Sequence, residues 1–242
     1  MILLLTGCIN PAGMSYTTLN NPEERKKQYV DAINFYLSST NFPIVFAENS
    51  GTDISNIFQD YIKSSRIEIL CFCGNHDKGR GKGYGECEII EYALQHSKLI
   101  NSSKGNRIAK ITGRLKVKNI KTIVGLHTIL FSRQTTFCAI NSDLSFPDSR
   151  FFIAPKQFYH TFLKNKEKIN DTKGYYFEHI LCETLREEKA YSYSPFLLMP
   201  RIEGISGSSG KSYNNKTITV SFIIRYIKFA LSQRKRFYKL YR

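Results

Sequence analysis

The sequence predicts an α/β protein, a mostly parallel central sheet flanked by helices, ending in a basic amphipathic C-terminal helix. Three observations predict it. Ile2 to Thr6 is a short unbroken apolar run, the pattern of a strand buried on both faces. Strand-like and helix-like segments then alternate through the first hundred residues. From Thr217 to the end the chain carries seven basic residues and no acid.

Composition sets the outer limits. A chain of 242 residues with 42% hydrophobic and 13% aromatic content can bury a substantial core, and widespread disorder is excluded. Of the net charge of +15, seven units belong to the tail. The surplus on the body suits an anionic ligand, or simply a basic surface. Six cysteines, at 8, 71, 73, 87, 138 and 182, form no CxxC pair and no zinc-like spacing with histidine, so they read as reduced thiols. The first residues have no basic start and no cleavage site, so no signal peptide is expected.

The elements follow in order. Ile2 to Thr6 is the first strand, and Gly7-Cys8-Ile9-Asn10-Pro11-Ala12-Gly13 is a loop at its carboxyl end. Pro22-Glu23-Glu24-Arg25 opens a helix, with proline and acids in the first turn and Tyr29, Ile33, Phe35, Tyr36 and Leu37 on its apolar positions. Pro43 to Ala47 is the second strand, and Asp53 caps a helix from Ile54 to Lys63 whose Ile57, Phe58, Tyr61 and Ile62 repeat at helical spacing. Ile67 to Cys73 is the third strand, followed by a glycine-rich loop and a helix from Glu86 to Leu99. Arg107 to Lys118 is a strand interrupted at Thr112-Gly113-Arg114. Thr135 to Ile140 and Arg150 to Ala154 are further strands, Tyr175 to Lys189 a helix, Phe196 to Ile202 a strand, and Glu203 to Asn215 a Gly/Ser-rich loop.

Several stretches carry candidate chemistry. In Gly81-Lys82-Gly83-Tyr84-Gly85-Glu86, glycines let backbone N–H groups approach an anion, the helix start adds unpaired donors, and Lys82 adds charge; the loop is a phosphate cradle or a plain connector. Glu48-Asn49-Ser50-Gly51, at a strand end, is placed to meet a base or ribose, or else makes a turn before the Asp53 cap. Lys110, Thr112 and Arg114 alternate along one strand, as an anion grip or a solvated face. Gly204 to Ser212 looks like a P-loop, but Ile205 stands where glycine is required, so only Ser208, Ser209 and Lys211 remain as phosphate candidates, with Arg201 nearby. Asp143 and Asp148 are spaced too widely for a compact carboxylate pair, and turn formation accounts for them. Glu178, in the first turn of a helix, is a cap, or a general base if burial holds its pKa up.

Together, Ile44 to Gly51, Gly81 to Glu86, Lys110 to Arg114 and Tyr176-Phe177-Glu178-His179 resemble bacterial glycosyltransferases of the GT-A type, in particular those of capsule and lipopolysaccharide assembly. The resemblance implies a GT-A-like, Rossmann-like domain over 1–215, with a nucleotide-binding half at about 1–118 and an acceptor half at 119–215. It implies transfer of a sugar from a nucleotide-sugar donor to a glycan or polyprenyl-linked acceptor, by an inverting mechanism with Glu178 as base. Glu48, Asn49, Ser50, Gly81, Lys82, Gly83, Tyr84, Gly85, Lys110, Thr112 and Arg114 would surround the donor. Asp148, Arg150 and His179 would meet the acceptor. Enzymes of this type normally hold Mn or Mg through Asp-x-Asp, which this chain lacks; Asp143 is the weak metal candidate, and Arg114, Lys82, Arg201 and Lys211 are the cations that would replace the metal. The rival enzyme on the same scaffold is a nucleotidyltransferase or another nucleotide-sugar enzyme, and the non-enzymatic rival is a basic nucleic-acid-binding protein, for which no motif is present.

The segment 216–242 mixes apolar and basic residues and is too short and charged to cross a bilayer. An anionic membrane surface, packing on the domain, or nucleic acid would satisfy it. The membrane reading puts the protein on the cytoplasmic face of the inner membrane as a peripheral protein.

Overall fold

The computed structural model describes residues 1–11, 18–207, 209–213 and 219–241. In chain order the elements are β1 (Ile2–Gly7), α1 (Pro22–Ser39), β2 (Ile44–Glu48), α2 (Gln59–Lys63), β3 (Ile67–Cys71), α3 (Lys82–His96), α4 (Lys98–Ser102), β4 (Arg107–Thr112), β5 (Lys116–Val117), α5 (Ile120–Leu130), β6 (Thr135–Ile140), β7 (Pro147–Pro155), α6 (Lys156–Leu163), α7 (Phe177–Glu187), β8 (Ser192–Ser194), β9 (Ile202–Ile205), β10 (Ser212–Tyr213) and α8 (Val220–Tyr241).

Seven strands form the central sheet in the order β3-β2-β1-β4-β7-β6-β8. β3, β2, β1 and β4 run parallel, β7 is antiparallel to both β4 and β6, and β8 is parallel to β6. The α/β class with a mostly parallel sheet is therefore what the chain adopts. Successive side chains leave a strand on opposite faces, and β1 divides accordingly. Ile2 and Leu4 join the core under α3, α6 and α7, whereas Leu3 and Leu5 join the core under α1 and α5. Both faces are covered, which is why β1 and β2 are buried along their whole length. A small antiparallel sheet, β10-β9-β5, lies beyond the end of β4.

α1 begins as its sequence dictates: Asn21 Oδ1 accepts from the backbone N–H of Glu23 and Glu24, with Pro22 in the first turn. Other expectations are corrected. The glycine-rich stretch is not a loop, because α3 starts at Lys82 and Gly83 to Glu86 already lie inside it. Ile54 to Lys63 divides into a 3-10 turn and the short α2, and Ile57 and Tyr61 are exposed. The segment beside the edge strand β3 has only one wall to pack against, and Phe58 uses it. Phe196 to Ile202 is not a strand; Pro195 and Pro200 interrupt the ladder, and strand structure falls on β8 and β9 instead. The Gly/Ser-rich segment forms the β9/β10 pairing. α5 and α6 were not expected. α5 reads Ile-Lys-Thr-Ile-Val-Gly-Leu, rich in β-branched residues, and its helix is held by burial of Ile120, Ile123 and Val124 rather than by propensity.

Candidate functional site

A cavity of about 440 Å³ opens over the carboxyl ends of β1 and β4. It lies where β1 is flanked by β2 on one side and β4 on the other, so the crossovers diverge and leave a crevice. Thr6, Gly7 and Cys8 form its floor, with Arg25 and Tyr29 of α1, the first turn of α3, Arg114, Ser149 and Arg150 of β7, Asp171, and Tyr176 to Glu178 around it. Because β7 is antiparallel to β4, its amino end arrives at the same edge and brings Ser149 there.

One continuous polar chain crosses the floor. Glu86 Oε1 accepts from Thr6 Oγ1 at 2.9 Å and is paired with Lys110 Nζ at 2.5 Å. Lys110 Nζ also donates to the Ser149 carbonyl at 2.6 Å, and Ser149 Oγ donates to Glu178 Oε1 at 2.5 Å. Lys110 is fully buried, with the rings of Phe152 and Phe177 at 5.9 and 5.4 Å from its ammonium. Glu178 is half-buried; burial raises its pKa above the ordinary carboxylate range, and the Ser149 bond pulls only partly the other way. A carboxylate so placed is a competent proton acceptor.

A second group of side chains is cationic. Arg25 and Arg114 are both buried, at 5% and 8% exposure, and their guanidinium carbons lie 6.0 and 5.9 Å from the ring centroid of Tyr29. Arg25 donates to the carbonyls of Cys8 and Leu19, and Arg114 to the Ile205 carbonyl at 2.9 Å and to Gln28 Oε1 at 3.3 Å. Among the described residues no carboxylate lies within ion-pair distance of either. Two buried guanidinium groups facing a cavity without an acid partner make a site that favours an anion. The hairpin closes tightly here, since a Cβ at Gly207 would collide with Arg114 Nη2.

The start of α3 is held by a remote residue. Gly83 N–H donates to Asp171 Oδ2 at 3.0 Å. A Cβ at Gly83 would meet Asp171 Oδ1 at 2.8 Å, and one at Gly85 would strike Asn75 Oδ1, so these glycines permit close packing. Gly81 takes φ +91°, which its lack of a Cβ allows. Burial raises the Asp171 carboxyl and lowers the Lys82 ammonium from their usual values. Among the described residues, five buried side-chain polar atoms have no protein hydrogen-bond partner, and three of them, Asn49 Oδ1, Arg114 Nε and Asp171 Oδ1, belong to residues lining this cavity. Such atoms concentrate where a ligand completes the bonding.

A second cavity of about 450 Å³ adjoins the first and shares Ser149, Arg150 and Glu178 with it. Phe146, Pro147 and Asp148 form its other wall. Asp148 is bound by Arg150 at 2.6 Å, and the Phe146 ring lies edge-on to those of Tyr176 and His179. Glu178 thus stands between two spaces, the first bordered by Arg25, Lys82 and Arg114 and the second by Phe146, Pro147 and the Asp148–Arg150 pair.

The fold gathers Asn49, Lys82, Gly83, Gly85, Thr112, Arg114, Arg150 and Glu178 around the first cavity. It does not bring Glu48 there: that carboxylate is fully buried and accepts from the N–H groups of Ile9, Ser50 and Thr52, tying the loop after β1 to the turn after β2, and Ser50 Oγ joins the same knot. Tyr84 turns away to Glu167 and stacks under Arg80. Gly81 meets Asp171 rather than lining the cavity. Arg201, Ser209 and Lys211 are exposed outside the cavity lining, and Ser208 lies outside the described residues. His179 accepts from the Tyr176 N–H at 2.9 Å and stacks on Tyr175. Asp143 is exposed and caps its own turn through Ser145. Among the described residues no group of three His, Cys, Asp or Glu side chains is placed to hold a metal ion. Sequence reasoning missed Arg25, Tyr29, Glu86, Ser149 and Asp171. Arg25 read as a helix-start residue, Asp171 lies in an Asn-Asp-Thr-Lys-Gly turn, and nothing local marks either as facing a cavity.

No protein-family model and no curated protein sequence matches the chain. Among solved structures it is similar to a cytidylyltransferase from Leptospira borgpetersenii serovar Hardjo-bovis (strain JB197), with 11% identity over 97% of this chain and 94% of that one and a TM-score of 0.44. It is similar to 4-diphosphocytidyl-2C-methyl-D-erythritol synthase, with 6% identity over 94% and 98% and a TM-score of 0.44. HddC from Yersinia pseudotuberculosis matches with 12% identity over 66% of this chain and 80% of that one, at a TM-score of 0.39.

Proposed function

We propose that this chain is a transferase acting on a nucleotide-activated substrate, bound in the cavity over β1 and β4. The observation that carries the reading is the pair of buried guanidinium groups, Arg25 and Arg114, lining that cavity with no carboxylate partner among the described residues. A di- or triphosphate supplies the missing charge, and bidentate guanidinium contacts suit phosphate oxygens.

Nucleotidyl transfer is the first reaction this set would serve. An acceptor phosphate oxygen would bond to the α-phosphorus of a nucleoside triphosphate, the bond to the bridging oxygen would break, and pyrophosphate would leave. The nucleophile is already ionised, so the demand is for cations, which Arg25, Arg114, Lys82 and Arg150 around the cavity answer. It is also the class of reaction named for one of the three similar structures, the cytidylyltransferase, a statement about that protein.

Glycosyl transfer is the second reading, favoured by Glu178. An acceptor hydroxyl is not ionised at neutral pH, and attack on an anomeric carbon calls for a base. Glu178, with its raised pKa and its place between the two cavities, would take that proton while the nucleoside diphosphate departs.

A thermal-shift panel of nucleoside triphosphates and nucleotide sugars tests the shared part, and phosphorus NMR of the products separates the two. Pyrophosphate identifies nucleotidyl transfer and nucleoside diphosphate identifies glycosyl transfer. A panel in which nothing stabilises the protein removes both.

A further inference from the structure

The fully buried residues of α8 begin at Ala230. Ala230, Gln233 and Phe237 are buried; Gln233 Nε2 donates to the carbonyls of Ile140 and Asn141 at 2.8 and 3.0 Å, and the Phe237 ring lies 4.3 Å from that of Tyr193. In the first half, from Val220 to Phe229, seven of ten residues are apolar or aromatic, yet none is fully buried. Val220, Ile224, Ile227 and Leu231 recur at helical spacing on one face, and Val220, Ile224 and Leu231 are 73%, 51% and 51% exposed.

This stripe does not stand alone. Arg234, one turn beyond Leu231, has its guanidinium carbon 5.6 Å from the Phe131 ring, which brings the end of α5 beside the helix. The two residues before Phe131 are Ile129 and Leu130, exposed at 83% and 56%. Exposed Arg225, Lys228, Lys235, Arg236 and Lys239 occupy the adjoining face of α8, and no acid occurs between Thr217 and the end of the chain.

We propose that this face, formed by the exposed stripe of α8 and the end of α5, binds the surface of a bilayer containing anionic lipids. Apolar side chains next to unopposed cations match the two layers of such a surface: the acyl boundary receives the isoleucines and leucines, and the phosphates receive the lysines and arginines. A second copy of the chain would bring like charges together, and nucleic acid would leave the apolar stripe in water. No helix among the described residues is long and apolar enough to cross a membrane, so the contact lies in the plane of the interface. The membrane contact does not depend on the proposed transfer.

The test is co-sedimentation of the full chain with phosphatidylcholine vesicles made with and without phosphatidylglycerol, beside thermal-shift measurement of nucleotide binding. The expected result is binding only to the vesicles with phosphatidylglycerol, lost in Ile224→Ser/Leu231→Ser and weakened about fivefold for each lysine removed in Lys228→Ala/Lys235→Ala. All four positions are exposed, and an unchanged melting temperature shows that the variants fold. Should the apolar pair unfold, the lysine pair gives the same decision. Absence of vesicle binding by the wild type overturns the proposal, as does equal binding by wild type and both variants. So does a concentration-dependent dimer abolished by the apolar pair, or oligonucleotide binding without vesicle binding. A nucleotide-induced shift that persists in the variants separates loss of the membrane contact from failure of the transferase reading.

Discussion

Lys110 Nζ lies 2.5 Å from Glu86 Oε1, with the lysine fully buried behind the cavity lining rather than in it and the glutamate partly open to the cavity. The ammonium also holds the Ser149 carbonyl, and Ser149 in turn holds Glu178, so one buried charge organises residues from β1, α3, β4, β7 and α7.

Lys110→Met removes that charge and leaves Glu86 beside a desolvated wall. The expected loss is about 3 kcal/mol of stability, the usual consequence of breaking a buried pair on one side. The double variant Lys110→Met/Glu86→Gln should recover part of it. Urea unfolding of the three proteins measures both; a single variant as stable as wild type would show that the pair has no structural weight.

Glu178→Gln tests a group whose folded pKa is raised by burial. At pH below the unfolded carboxylate pKa both states are protonated and the penalty is absent. As pH rises through the interval up to the folded pKa, the unfolded state ionises first and stability falls. The glutamine variant should therefore be more stable than wild type at pH 7 and equal to it in acid, which unfolding curves at several pH values would register. Activity divides the two proposed reactions. Loss of a general base costs about 100- to 10,000-fold in turnover for glycosyl transfer, whereas nucleotidyl transfer to a phosphate should survive.

Arg114→Ala and Arg25→Ala should each weaken nucleotide binding by at least about tenfold, since each removes a charged hydrogen-bonding partner from a dehydrated site. Calorimetric titration with the nucleotide selected by the thermal-shift panel provides the number. Undiminished affinity in both variants would refute the assignment of these arginines to phosphate.

Gly83→Ala places a methyl group 2.8 Å from Asp171 Oδ1 and 3.1 Å from the Phe177 backbone nitrogen. Overpacking of this kind costs about 1–3 kcal/mol. Gly125→Ala is the control: nothing lies within 4 Å of its added Cβ, and α5 should be unchanged or slightly more stable. Thermal unfolding of the two variants compares them directly.

What the sequence determined by itself is the part that local periodicity encodes. The apolar run of β1, the proline and acids opening α1, and the helix around Glu178 are near-neighbour patterns, and they fold into the elements they announce. The alternation of strand and helix was enough for the class of fold. Local pattern also selected Lys82, Arg114 and Glu178, and the family resemblance Arg150, all of which line one cavity. Tertiary structure decided the rest, because charge and burial depend on residues far apart in the chain. The glycines of 81–85 read as a phosphate loop, but the acid 88 positions beyond Gly83 caps that helix start and gives two of them a packing role. Glu48 read as a ligand contact, but three backbone N–H groups claim it as a structural tie. Arg25 looked like an ordinary helix-start cation, and only the fold brings it, buried, to the same Tyr29 ring as Arg114, with no carboxylate partner for either among the described residues.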